Sequence, residues 1–338
     1  MNIGLIGCGG IANGHMSVYQ KTENATVVAV SDTNLEKARI FAEKYGIGKY
    51  FSDYADLLEI KDLDYVDICT PTSTHALIAC DAAKSGHNIL VEKPMARSTN
   101  ECDEMILKSK KSGVKLCVCH NQIFFPSVRQ AKSLVDSGFY DLVSFRTSVK
   151  ENPEQILAPG WNMTNEEKGI LWEVGCHPAY LQLHFLKNIT EIYAIGSKVK
   201  YPVHDDFAVL LRTPDRCYGI IQVSWLARKP EIVYEIDSSD GKLAHVDRIR
   251  DSFIENTEES TGLFPDIKRV LRHFTRPGKT LKTELAYLIG HYYLINAYMK
   301  SLENDMPVPV PPEEGKRTIR LLECIEESLN KHEAISTK

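Results

Sequence analysis

Along the first 120 residues, short uninterrupted apolar runs alternate with stretches in which apolar residues recur every three or four positions. The runs Ile3–Ile6, Thr26–Val30, Tyr65–Cys69, Asn88–Val91 and Lys115–Cys119 read as strands. Between them, Leu35–Tyr45, His75–Ser85 and Asn100–Ser112 read as helices, the last two ending at Gly86 and Gly113 as left-handed C-caps. Strands that alternate with helices in this way require right-handed crossovers and a parallel sheet, so this half is predicted to be a doubly wound α/β domain.

The second half has a different rhythm. A helix over Ser127–Ser137 leads into Leu142–Val149, where Val143, Phe145, Thr147 and Val149 alternate with Ser144, Arg146 and Ser148. Glu191–Ile195, Phe207–Arg212, Tyr218–Trp225, Ile232–Ile236 and Lys242–Val246 follow at short intervals, the pattern of an open, mostly antiparallel sheet in an α+β domain. Asp251–Pro277 reads as a charged loop with a short helix, Leu281–Leu302 as a long helix, and Met306–Pro312 as a proline-stiffened connector before a last helix, Glu313–His332. The implied division is 1–121, 122–312 and 313–338.

Composition narrows the classes. At ~100–200 residues per domain, 338 residues suit two domains. Forty Lys+Arg against 45 Asp+Glu give a net charge of −5, which disfavours a nucleic-acid-binding surface. The most apolar stretch, Tyr287–Met299, is interrupted by Gly290, His291 and Asn296 and is shorter than the ~20 residues of a membrane span. The nine cysteines are odd in number and set in apolar runs, and no basic residue precedes Lys21; both features point to a cytoplasmic protein with reduced thiols. Cys117, Cys119 and His120 lie in or beside a strand-like run with no second Cys/His pair at zinc spacing, so no metal is expected.

Gly7-Cys8-Gly9-Gly10-Ile11-Ala12 follows the first strand and opens a helix, the context of a dinucleotide-binding turn. Gly7 allows the tight turn, Gly9 lets the backbone approach a pyrophosphate, and Ala12 permits close helix–strand packing. The helix N-terminus offers free N–H groups to phosphates. Asp32, 20 residues beyond Ala12, can accept both ribose hydroxyls and repel a 2′-phosphate, with no compensating cation at Thr33; NAD is expected over NADP. Asp32 or Asn34 could also cap the following helix.

Thr70-Pro71-Thr72-Ser73-Thr74-His75 and Gly86-His87-Asn88-Ile89-Leu90-Val91-Glu92-Lys93-Pro94, together with that turn, make the chain resemble the glucose-fructose oxidoreductase / inositol 2-dehydrogenase (Gfo/Idh/MocA) family over nearly its whole length. The resemblance implies a Rossmann domain followed by a sheet-rich substrate domain, with the last helix returning to the nucleotide domain. It places Lys93 beside the nicotinamide and the reacting hydroxyl, Glu92 on the nicotinamide ribose, and Thr70, Pro71 and His75 along the cofactor. It also implies a homodimer or homotetramer joined through the open sheet face. Independently of the family, Lys93 follows a strand's C-terminal end, where open α/β sheets bind ligands and where a cation stabilises a developing alkoxide.

A second chemical segment is Gly169–Tyr180, in which Glu173 and His177 occupy places where the family often has Asp and His facing the substrate; Tyr180 stands where many members have Asp. Helical i,i+4 spacing would bring Glu173 and His177 together, although Pro178 biases His177 away from helical geometry. An imidazole suits proton transfer near neutral pH, so Lys93, His177 and Glu173 are the catalytic candidates. Asn121, Trp161 and Trp172 are further substrate candidates. The expected activity is NAD-dependent hydride transfer at a secondary alcohol of a sugar, cyclitol or glycoside. Alternatives are glycoside cleavage through transient oxidation by retained NAD, and a non-catalytic NAD-binding regulator.

Overall fold

The computed structural model describes residues 1–153, 169–256 and 283–337. Strands β1 (Asn2–Ile6), β2 (Thr26–Ser31), β3 (Lys49–Phe51), β4 (Tyr65–Ile68), β5 (Asn88–Val91) and β6 (Leu116–Val118) form a parallel sheet in the order β3-β2-β1-β4-β5-β6. Helices α1 (Gly10–Tyr19), α2 (Leu35–Tyr45), α3 (Tyr54–Leu58), α4 (Thr72–Lys84) and α5 (Thr99–Ser112) supply the crossovers. Helices cover both faces, so β4 and β5 are buried almost throughout and read as continuous apolar runs. Asn34 Oδ1 accepts the Lys37 N–H and Ser98 Oγ the Glu101 N–H, which starts α2 and α5 with satisfied donors. Gly113 closes α5 in a left-handed conformation, whereas Gly86 lies one residue beyond the α4 cap, Ser85. The short β3 and α3 were not anticipated: β3 has three residues at a sheet edge, too few to set a period.

The second sheet contains β7 (Leu142–Lys150), β8 (Glu191–Ser197), β9 (Asp206–Arg212), β10 (Tyr218–Ser224), β11 (Glu231–Ser238), β12 (Leu243–Asp247), β13 (Ser252–Asn256) and β14 (Ile335–Ser336). Their order is β13-β12-β11-β7-β10-β9-β8-β14. The expected meander is corrected at one place: β7 lies between β10 and β11, parallel to the first and antiparallel to the second. Alternation of burial tells which face a strand buries but carries no information about its neighbours. β13 occupies the start of the stretch read as a loop; residues 257–277 of that stretch lie outside the described residues. Helix α6 (Pro126–Asp136) follows a 3-10 turn (Asn121–Phe124), and two short helices, α7 (Gly169–Glu173) and α8 (Cys176–Phe185), precede β8. α8 covers one face of the sheet: Phe145 stacks on Phe185 at 4.2 Å, and Gln182 Nε2 donates to the Phe145 and Ile220 carbonyls. The other face leaves Tyr193, Ile195, Leu210 and Tyr218 exposed.

One long helix fastens the halves together. α10 (Pro312–Lys331) reaches the nucleotide domain through Glu323, which accepts the Thr99 N–H at 2.9 Å, and the substrate sheet through Ser328 Oγ, which accepts the Ala194 N–H at 2.9 Å. Its Ile319, Leu322 and Ile325 are buried. Each contributes ~1.5–3 kcal/mol, against ~0–1 kcal/mol for an exposed pair such as Lys316–Asp103, so apolar packing holds the helix in place. α9 (Thr283–Glu303), grouped by sequence with 122–312, instead packs on the nucleotide domain. Tyr298 meets Tyr65 edge-on at 5.2 Å, and Lys115 Nζ donates to the Ser301 carbonyl. An apolar helix face shows that a helix is covered, not by which domain.

Candidate active site

The strand ends of the parallel sheet build one edge of the site. The Gly7 N–H donates to the Ser31 carbonyl at 2.7 Å, and φ is +93°. A Cβ there would stand 2.7 Å from the Cys69 carbonyl oxygen, so the turn at the β1/β4 switch point requires glycine. At Gly9 and Gly10 a Cβ would meet nothing within 4 Å, and α1 begins without a side-chain cap. This is a cradle open to a pyrophosphate, and Ala12 is buried behind it as the fingerprint requires.

Asp32 ties this turn to β2. Its Oδ2 accepts the Cys8 N–H at 3.0 Å and its Oδ1 the Asn34 N–H at 3.0 Å, while Lys37 Nζ lies 2.9 Å from Oδ2. Burial opposes the charge, but Lys37 and the two N–H groups hold the carboxyl below its usual range. Asn34 rather than Asp32 caps α2. The cation that Thr33 could not provide stands one helical turn later, at Lys37.

Two residues expected along the cofactor, His75 and Glu92, are buried and paired within the protein. The His75 ring is 1% exposed, with Nδ1 2.9 Å from the Pro94 carbonyl and Nε2 2.9 Å from the Thr70 carbonyl, so it braces the loops after β4 and β5. Thr70 and Pro71 keep exposure at that edge. Glu92, expected on the ribose, is buried: Oε1 lies 3.0 Å from His15 Nε2 and 3.7 Å from His291 Nε2, and Oε2 accepts the Lys93 N–H. His15 Nδ1 in turn lies 2.7 Å from Asp67 Oδ2. Despite burial, the two histidines hold the Glu92 carboxyl well below its usual range, and Asp67 holds the His15 imidazole well above its own. Buried polar groups survive only when paired, and lone short motifs cannot reveal a pairing assembled from α1, β4, β5 and α9. Cys119 shares this cluster with its Sγ within 4.8 Å of the ligand atoms of His15, Glu92 and His291. Burial pushes the Cys117 thiol up to about 12 and the His120 imidazole down to about 3; His120 stacks on Tyr180 at 4.2 Å.

The chemical residues gather where β5 faces α7 and α8. Lys93 Nζ donates to the Glu173 carbonyl at 3.0 Å and lies 3.2 Å from its Oε1. Burial disfavours the ammonium, but Glu173 and Glu92 together raise its pKa. Glu173 and His177 do not pair with each other. The helix breaks at Val174–Gly175, where a Cβ on Gly175 would stand 2.4 Å from the Leu171 carbonyl oxygen, so Glu173 closes α7 and turns to Lys93. Pro178 is accommodated in the first turn of α8. His177 Nδ1 lies 2.8 Å from the Tyr180 hydroxyl. Burial first, then the charges of Lys93 and Arg248, keep this imidazole neutral, its pKa well below 6.5.

Sequence reasoning missed Arg248 and Glu151. The buried Arg248 lies over the Phe125 ring at 4.1 Å, and Glu151 feels both Lys93 and Arg248, with burial raising its carboxyl pKa. They flank β-strands of the second sheet and carry no local signature. Asn121 is buried, with Tyr180 and His291 as its side-chain partners. Trp172 is 3% exposed and offers no open ring face, and Trp161 lies outside the described residues.

Residues 1–120 match the model described as "Oxidoreductase family, NAD-binding Rossmann fold", and residues 128–244 match the "GFO/IDH/MocA C-terminal domain". The chain is 28% identical over 200 residues to the uncharacterized oxidoreductase YrbE of Bacillus subtilis, covering 59% of this chain and 58% of that protein. It is 24% identical over 347 residues to the myo-inositol 2-dehydrogenase of Thermotoga maritima, covering 99% and 98%. A solved levoglucosan dehydrogenase in complex with NADH superposes with a TM-score of 0.85 at 20% identity, covering 100% of this chain and 99% of that one.

Proposed function

The chain belongs to the GFO/IDH/MocA family of NAD-binding oxidoreductases, and from that premise we propose that it oxidises a secondary hydroxyl of a sugar or cyclitol, or reduces the matching ketone. The observation that carries this reading is geometric: Lys93, just past the end of β5 in the sheet that carries the dinucleotide turn, is fixed to the Glu173 carbonyl at 3.0 Å, and His177, four residues after Glu173, is fixed to the Tyr180 hydroxyl at 2.8 Å. When bound, NAD supplies the hydride acceptor. The backbone of Gly9, Gly10 and Ile11 would hold the pyrophosphate, Asp32 the adenosine ribose, and the edge at Thr70 and Pro71 the nicotinamide half. Lys93 donates a hydrogen bond to the substrate oxygen and stabilises its developing negative charge. His177, being neutral, accepts the hydroxyl proton. Glu173 orients the ammonium. Inositol and levoglucosan dehydrogenases among the relatives make cyclitols and sugars the first compounds to screen by NADH formation. Absence of turnover across such a panel, with NAD bound, would favour the regulatory alternative.

Asp32 supports NAD over NADP. Asp32→Ala is expected to narrow the preference by ~10–100-fold, as bonds to a charged carboxylate are lost and Lys37 is released to face a 2′-phosphate. Titrating both dinucleotides against the unaltered protein checks this; equal affinities would overturn it.

A second copy of the chain is the proposed cover of the open sheet face, giving a homodimer or homotetramer. Tyr193 pairs with Leu210 across β8 and β9, and Ile220 faces Leu210 from β10, so the exposed apolar side chains adjoin. Leu210 is 54% exposed, and Leu210→Glu should dissociate the assembly in light-scattering measurements without unfolding it. A monomeric unaltered protein would sink the proposal. Free thiols throughout support a cytoplasmic setting, and among the described residues no helix is long and apolar enough to cross a membrane.

A further inference from the structure

A continuous polar path leads from Glu92 to His177. His291 points Nε2 at Glu92 Oε1 across 3.7 Å, too long for a hydrogen bond but close enough for the carboxylate to favour a proton on that nitrogen. A neutral imidazole protonated there offers Nδ1 as an acceptor, and Asn121 Nδ2 stands 3.3 Å away to donate. With its amide so turned, Asn121 presents Oδ1 to the Tyr180 hydroxyl at 3.2 Å. That hydroxyl already accepts the Gln122 N–H at 3.0 Å, so its one proton goes to Asn121 and its remaining lone pair faces His177 Nδ1 at 2.8 Å. Every link thus has one consistent direction, set by the buried carboxylate.

We propose that Tyr180 and Asn121 are positioning residues that hold His177 in the Nδ1–H tautomer, leaving Nε2 as the lone pair that receives the substrate's proton. With the Asn121 amide held in this orientation by His291, the reverse arrangement, in which Tyr180 donates to His177, would strand the buried Asn121 carbonyl, a penalty that biases the tautomer ratio by ~5–150-fold. It would also place a proton on Nε2 and abolish the base. Among the described residues nothing bonds Nε2. The arrangement follows the logic of a nucleophile's histidine oriented by a third group, with one difference. The immediate partner is a neutral phenol, and the carboxylate that favours the protonated ring, Glu92, acts only from a distance. The charged and titratable groups that do act on it are Lys93, Arg248, Glu92 and His291, and Tyr180 is its direct partner.

The functional consequence rests on the dehydrogenase reading, but the test need not. In substrate-free protein labelled with ¹⁵N at histidine, the His177 ring nitrogens, assigned by their loss in His177→Gln, should show the proton on Nδ1 by NMR. Tyr180→Phe and Asn121→Leu should each move the signal toward the Nε2–H form. With a confirmed substrate, kcat should fall in proportion to the lost Nδ1–H fraction, while KM and NAD affinity hold. An Nε2–H imidazole in the unaltered protein, or a tautomer unmoved in both variants, would overturn the proposal. Failure to find an oxidisable alcohol would count against the dehydrogenase reading alone.

Discussion

Lys93→Met is expected to slow hydride transfer by ~10²–10³-fold while NAD binding persists, the loss typical of removing one electrostatic donor from a developing oxyanion. Methionine keeps the unbranched stem that packs in this loop and removes only the charge. The Lys93 side chain is 13% exposed, so its charge is screened less than a surface lysine's and acts strongly on a neighbouring oxygen. Because the substitution leaves Glu173 without its cation, Lys93→Met/Glu173→Gln is the control: it should be as slow as the single variant if the lost ammonium is the cause. NAD affinity should hold because the Gly7–Ala12 turn and Asp32 belong to β1, α1 and β2. Single-turnover NADH formation is the measurement, and a near-normal rate in Lys93→Met would overturn the proposed site.

His177→Ala should cost ~10²–10⁴-fold in the same assay, the range for loss of a positioned base. Its pH signature separates it from Lys93. The imidazole must be neutral to accept a proton, and burial with Lys93 and Arg248 holds its pKa below 6.5. Activity should therefore persist as pH falls through 6.5 and fail only at lower pH, where the ring protonates. In Lys93→Met the residual acid limb should move upward, since one depressing charge is gone. An acid limb above 6.5 in the unaltered protein, or normal turnover in His177→Ala, would remove His177 from the chemistry.

Much of this site is readable in one dimension because its parts are local. The turn at Gly7–Ala12 needs glycine for contacts with its own βαβ unit, and Asp32 lies one strand away, so spacing suffices to place them. Lys93 follows a strand end, a position whose chemistry derives from the sheet itself. Reading Glu173 and His177 as one helical pair failed because Gly175 breaks the helix, and a close approach to Leu171 is a property of packed backbone rather than of spacing.

The sequence by itself determined the doubly wound half, the existence of an open second sheet, and the candidates for dinucleotide and proton handling, because period, turn chemistry and strand-end position are short-range properties. Only the tertiary structure decided that β7 separates β10 from β11 and that α9 packs on the nucleotide domain. It alone buried Glu92, His75 and Asn121 and gave His177 to Tyr180 rather than Glu173. Each of those outcomes depends on which buried polar atom finds a partner from a distant element. Desolvation makes an unpaired atom costly wherever it lies, and no local pattern records which distant partner the fold will supply.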